Sequence, residues 1–495
     1  MNTSPVTIRE VGTITEIRRG IIKLSGLPGC VLGQLIELSP DVRGFVVGFT
    51  EMEVLALILG PESSLSVGQR VDVRQQPLRL AVGPQLFGRV VSPLGEPLDG
   101  GPRPDGDALR ALFQEAPGIL ERTPVERQLF TGIRAIDTMI PLGRGQRELI
   151  IGDRMTGKTT LALDTMLSQR DQHVLCIYCT IGQSHQKLHQ VTEFLREHQL
   201  LDGAIVMAAT ASQSASEQFL APYAACAIGE HFMHQGQDIL VVFDDLSKHA
   251  WAYRQLSLLL ERPPGREAYP GDMFYIHSQF MERAGQLSPE RGGGSMTFLP
   301  ICETQQGDVT GYISSNLISM TDGQIYLSSE LFYEGLKPAI DVGLSVSRIG
   351  NKVQPPLLRW VSDSLRLELL QYQELVRLTR FSPAGTEGVA QRQRRGTILR
   401  RLMTQPAHQP MTLGDQSLLF YALKTGWLEQ LTEEGLALCR AGLSRRLPTI
   451  VQDAVRKQPP LTPALQAQFD AALEELLTPY RHSEGPAHVV TATAP

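Results

Sequence analysis

The chain has 495 residues, roughly three ordinary domains' worth, so two or three domains are expected. Its 42% hydrophobic and 20% charged residues exclude a disordered or collagen-like chain. Its net charge, 46 − 52 = −6, excludes a global basic field for nucleic acid, and six cysteines are too few for a disulfide scaffold of this size.

In chain order, residues 1–75 read as short strands. Ile14 and Ile17 come first, then Ile21, Ile22 and Leu24, then VLGQLIEL at 31–38, GFVVGF at 44–49 and EVLALILG at 53–60. Gly, Pro and Ser punctuate them at a spacing that suits a small barrel or sandwich. MNTSPVTIREVG at the start lacks the apolar core of a signal peptide, and no run reaches the roughly 18 apolar residues of a membrane span. Neither export nor membrane insertion is expected, and a reducing compartment is.

Between residues 76 and 350, apolar β-branched runs alternate with segments of helical period. The runs are ELIIG at 148–152, HVLCIYCTIG at 173–182, AIVMAAT at 204–210 and DILVVFDD at 238–245. That alternation predicts a parallel sheet covered by helices. Over 351–481 the period is helical: Leu358, Val361, Leu365, Leu369, Tyr372 and Val376 predict one helix face, entered at Pro355 and Pro356. Residues 482–495 are expected to form a flexible tail.

GDRMTGKT at 152–159 fits G-x-x-x-x-G-K-[ST], after a predicted strand and before a predicted helix. In this pattern Gly152 and Gly157 let backbone N–H groups close on phosphate oxygens, Lys158 reaches the outer phosphates and the Thr159 hydroxyl ligates magnesium. Asp244 ends the strand ILVVF, where phosphate-loop ATPases place a magnesium-orienting aspartate, and Asp245 is expected on the opposite side of the strand. Cys176 and Cys179 have redox spacing but lie in an apolar strand, which favours buried structural thiols. Arg392, Arg394, Arg395, Arg400 and Arg401 suggest a solvated or acid-paired helix face more than a nucleic-acid surface.

GDRMTGKTT, FDDLSKHAWAYRQLSLLLERPPGREAYPGD (243–272), SNLISMTDGQIYL (315–327) and DVGLSVSRIG (341–350) resemble the alpha subunits of F-type rotary ATP synthases, along residues 10–480. The resemblance implies a β-barrel crown, a RecA-like α/β phosphate-loop nucleotide-binding domain and a C-terminal α-helical domain. It implies an ATP/ADP and Mg2+ site contributed by Gly152, Asp153, Arg154, Met155, Thr156, Gly157, Lys158, Thr159, Thr160, Gln183 and Asp244, with Phe332, Lys337, Pro338 and Gln405 towards the base. Met155, Lys337 and Ala407 depart from residues usual in the family. Gln183 stands where catalytic relatives carry a glutamate that activates water, and a neutral amide does not take up that proton. This chain's own site is therefore expected to bind without turnover.

Arg348, with Ser345 in the same loop and with Ser319, resembles the group that serves a neighbouring beta subunit's catalytic site. The partners implied are beta subunits in an alternating hexamer, a gamma central stalk inside a sleeve that includes 263–272, and indirectly a peripheral stalk and membrane rotor. The location implied is the cytoplasmic face of a bacterial or archaeal membrane. The short start puts docking of a delta subunit in doubt and is reminiscent of the alternate, N-type branch, which IGNKVQPPLLRW at 349–360 resembles more weakly. The rival reading is a self-sufficient homohexameric ATPase that moves RNA or protein, in which Arg348 serves an identical neighbour.

Overall fold

A computed structural model describes residues 10–40, 42–379 and 387–481; the tail expected at 482–495 lies outside them. Contacts divide the chain into two compact units. One comprises Met1–Val125, Arg144–Ala162 and Gln169–Gln324, and the other Glu126–Gly143, Leu163–Ser168 and Ile325–Pro495.

The first unit begins with a closed antiparallel barrel. Around it run Val11–Arg18, Ile21–Ser25, Val54–Leu59, Val42–Phe49, Gln34–Ser39 and Arg70–Pro77, which returns to the first strand. Closure removes the exposed strand edges. The period-2 alternation sets the inside: in Gln34–Ser39, Ile36 and Leu38 are buried while Leu35 and Glu37 are only partly covered. Ile14, Ile22, Leu24, Ile36, Val46, Ile58 and Val71 meet in the barrel core.

Further along the same unit, six parallel strands lie in the order Leu149–Gly152, Ser295–Glu303, Asp238–Asp244, Val174–Gln183, Ala204–Thr210 and Val90–Val91. Ala204–Thr210 is buried throughout, as a strand covered on both faces must be. Register pairs Gly152 with Glu303, Thr180 with Asp244 and Gln183 with Thr210, so these residues share the carboxyl edge of the sheet. That edge is where open α/β sheets bind ligands. Helix Ala215–Met233 is buried almost all round and starts with a Ser214–Glu217 capping box. Cys176 and Cys179 are free, buried thiols, and burial pushes Cys176 up to about 12.

The second unit is helical. The predicted face beginning at Leu358 is divided between Pro356–Ser362 and Leu365–Thr379. Leu358, Val361, Leu365, Leu369 and Tyr372 are all buried, and Val376 is partly so. The break falls at Asp363 and Ser364, whose side chains bind Lys424 Nζ at 2.6 Å and Glu368 at 2.7 Å. Such polar side-chain bonds compete with helix continuation. In the arginine cluster, Arg395 pairs with Glu368 and Glu429, Arg400 with Glu334 and Arg401 with Glu433.

Asp137 anchors this unit from within. Its carboxylate is fully buried and accepts from Thr131 N and Oγ1 and from Gln416 Nε2, each at 2.8 Å. Burial nevertheless pushes the carboxyl up to about 7, against the pull of those donors. The folded value lies above the roughly 3.9 of an exposed aspartate. Its contribution to stability is therefore full below about pH 4 and is lost as pH rises towards 7. Asp137→Asn is expected to flatten that window in thermal unfolding followed from pH 4 to 7. Gln416 Oε1 has no partner among the described residues and can turn to accept from the new amide. An unchanged pH slope in the variant would exclude Asp137 as its source.

Candidate functional site

The phosphate loop follows strand Leu149–Gly152 and ends at helix Lys158–Gln169. Gly157 caps that helix at φ +97°, in open space, a conformation that a side chain would strain. The loop is held from outside: Asp153 Oδ1 accepts from Thr304 Oγ1 at 2.6 Å and from Gly307 N at 2.8 Å, and Arg154 pairs with Glu303. Thr156 Oγ1 closes back on Asp153 O at 2.8 Å. Met155 projects from the loop, 90% exposed, and Thr160 is half-buried in the helix's first turn.

Lys158 Nζ donates to Gly152 O at 2.8 Å and to Asp153 O. Burial lowers its pKa, and Glu303, Asp245 and Asp244 oppose that shift. An ammonium folded over its own loop carbonyls is ready to exchange them for phosphate oxygens.

Asp244 is the hub, with a side chain only 2% exposed. Its Oδ2 accepts from Thr159 Oγ1 at 2.9 Å and from the Tyr178 hydroxyl. Its Oδ1 accepts from Gln183 Nε2 at 2.8 Å. Lys187 Nζ lies 2.9 Å from Oδ2 and 3.3 Å from Oδ1. The Gln183 carbonyl in turn accepts from Lys248 Nζ, so both ends of this amide are engaged. Asp245 has left the strand and caps helix Leu246–Leu259, accepting from Lys248 N at 2.8 Å. Burial, then the neighbouring Asp244, pushes its carboxyl up to about 7.

The residues expected towards the base lie in the other unit. Lys337 Nζ sits 4.7 Å above the Phe332 ring, and Pro338 follows half-buried. The Gln405 backbone N–H donates to Lys337 O at 2.8 Å. Its side chain accepts from Arg134 N at 3.1 Å and donates to Gly132 O and Gln409 O, each at 2.8 Å. That amide is bound to backbone at both ends.

The Arg348 loop is also in the second unit. Arg348 is exposed, with no hydrogen-bond or ion-pair partner among the described residues. Ser345 is fully buried: its hydroxyl donates to Asp341 O at 2.6 Å and accepts from Tyr326 N at 2.9 Å, while Arg366 binds its carbonyl at 2.8 Å. Ser347 Oγ donates to Pro141 O at 2.8 Å. Ser345 thus positions the loop. Ser319, in the first unit, is exposed on helix Tyr312–Met320 and donates to Asn316 O at 2.7 Å.

Residues 132–347 match the nucleotide-binding domain of the ATP synthase alpha/beta family, and residues 354–476 the C-terminal domain of ATP synthase alpha/beta chains. The chain is 45% identical over 478 residues to the ATP synthase subunit alpha of Caldanaerobacter subterraneus subsp. tengcongensis, covering 96% of this chain and 94% of the relative. It is 42% identical over 483 residues to that of Dehalococcoides mccartyi, covering 97% and 95%. The chain belongs to the ATP synthase alpha/beta family.

Within this member of the family, three residues around Asp244 escape a reading of the sequence: Tyr178, Lys187 and Lys248. Tyr178 sits in an apolar run and reads as core. The lysines sit three and four positions beyond Asp245 and Gln183, and only the helices that follow those residues turn them back to the site.

Proposed function

We propose that this chain is the regulatory, non-catalytic nucleotide-binding alpha subunit of a membrane-associated F-type rotary ATP synthase, coupling ATP synthesis or hydrolysis to proton or sodium transport. The observation that carries the non-catalytic reading is the clamp on Gln183, bound by Asp244 at one end and Lys248 at the other. A water-activating group needs a free acceptor towards the water. This one is a neutral amide that does not take up the proton, and its two ends are held by Asp244 and Lys248.

Thr159 and Asp244 supply hard oxygen donors within 2.9 Å of one another, which fits Mg2+. When bound, the ion neutralises charge on the phosphates. Lys158 binds the outer phosphates, and the loop N–H groups from Asp153 to Thr160 orient them. The family resemblance assigns Phe332, Lys337, Pro338 and Gln405 to the base of the nucleotide. Arg348 is donated to a beta subunit's catalytic site in an alternating hexamer around a gamma stalk, on the cytoplasmic face of the membrane. The domains follow this division: 1–75 crown, 76–350 nucleotide-binding, 351–481 helical.

Purified alone and shown to bind Mg-ATP, the chain is expected to hydrolyse ATP negligibly over many turnovers, and Gln183→Ala is expected to change little in the assembled complex. Robust turnover by the chain alone would favour the self-sufficient hexameric ATPase instead.

A further inference from the structure

The buried Asp244 carboxylate has a single cationic partner among the described residues, Lys187. Its other donors, Thr159, Tyr178 and Gln183, are neutral. Lys158, the cation the motif supplies, is turned to the carbonyls of Gly152 and Asp153. A buried carboxylate without a counter-charge is costly, and an ammonium at 2.9 Å offsets that cost. We propose that Lys187 is a built-in counter-cation that a divalent metal must displace from Asp244, and that it thereby sets the metal affinity of this nucleotide site. The proposal rests on the reading of the site given above.

The placement of Lys187 suits a removable charge. Its backbone is fixed, its N–H donating to the capping Ser184 Oγ at 3.2 Å in the first turn of helix His185–Glu197. Its side chain is 33% exposed, whereas Asp244 is enclosed. Thr159 and Asp244 would hold a divalent cation in place of their mutual hydrogen bond, and the Lys187 ammonium, repelled by the like charge, would have solvent to withdraw into. Without metal the ammonium returns, and Asp244 presents less negative charge to the phosphates of a bound nucleotide. Lys187 therefore weakens metal binding and supports retention of metal-free nucleotide.

The test uses the full chain with ADP, and Mn2+ as a paramagnetic probe titrated by electron paramagnetic resonance. K187M and K187Q are expected to bind Mn2+ about tenfold more tightly than wild type, while K187R stays close to wild type. After chelation of the metal, both neutral variants are expected to lose ADP faster than wild type. K187Q keeps a donor towards Asp244 and serves if K187M does not fold. Equal Mn2+ affinity in wild type and the neutral variants, with ADP bound in each, overturns the proposal and leaves the nucleotide-site reading standing. A wild-type chain that binds no ADP overturns both.

Discussion

In the assembled complex, Arg348→Ala is expected to lower ATP turnover by roughly 10³-fold or more, while nucleotide binding at this chain's own site is unchanged. Two features separate Arg348 from an ordinary surface arginine. It is exposed and unpartnered among the described residues, in a chain where most of the arginine cluster on helix Glu387–Met403 is tied to acids. Its loop is also rigidly held, with buried Ser345 bonded to Asp341, Tyr326 and Arg366, and Ser347 to Pro141. A free guanidinium on a braced loop is preorganised for an anionic group outside its own chain, and preorganised charge is what stabilises a transferring phosphoryl group. Arg348→Lys is expected to recover only part of the activity, because a point charge does not reproduce the planar fork. Steady-state hydrolysis by the complex, alongside fluorescent-nucleotide binding to the isolated chain, separates the roles. A parallel fall in both would place Arg348 in this chain's own site; turnover left intact would remove the donated-arginine reading.

Legibility in the sequence followed chain distance. The phosphate loop is local chemistry, so GDRMTGKT announced the strand, the loop and the helix, and Asp244 announced itself by ending an apolar run. The barrel was legible through Val54–Leu59 because short apolar runs there are set off by Gly, Pro and Ser. The closing strand Arg70–Pro77 escaped, since RVDVRQQP offers only Val71 and Val73 among polar neighbours. Asp245 was expected across the strand from Asp244, but the strand ends first and Asp245 becomes a helix cap. Of the side chains around Asp244, Thr159 and Gln183 were legible, whereas Tyr178, Lys187 and Lys248 were not. Tyr178 reaches it because register sets Thr180 beside Asp244. Gln405 is similar: its backbone partners Gly132 and Arg134 lie some 270 residues away, and no local pattern reports a bond that long.

The largest expected loss of stability lies at Glu230. Arg283 is wholly buried, and its guanidinium meets the Glu230 carboxylate in a fork at 2.5 and 2.6 Å, with a third bond to Leu112 O at 2.7 Å. The three residues join helix Ala215–Met233 to the segment after helix Met273–Met281 and to the chain just beyond strand Ala108–Ala111. Glu230→Gln leaves a cation enclosed in the core with its counter-charge removed, and breaking such a pair on one side costs about 3–5 kcal/mol. The pair as a whole is a different matter. Both ions lose their hydration on folding, and that penalty offsets much of their mutual attraction. Glu230→Leu combined with Arg283→Met is therefore expected to recover most of what Glu230→Gln loses, although Leu112 O then lacks its donor. Chemical denaturation of the three proteins, followed by a probe in the first unit, measures the difference. If the double variant is as unstable as Glu230→Gln, the cost lies in the lost bond to Leu112 and not in a stranded charge.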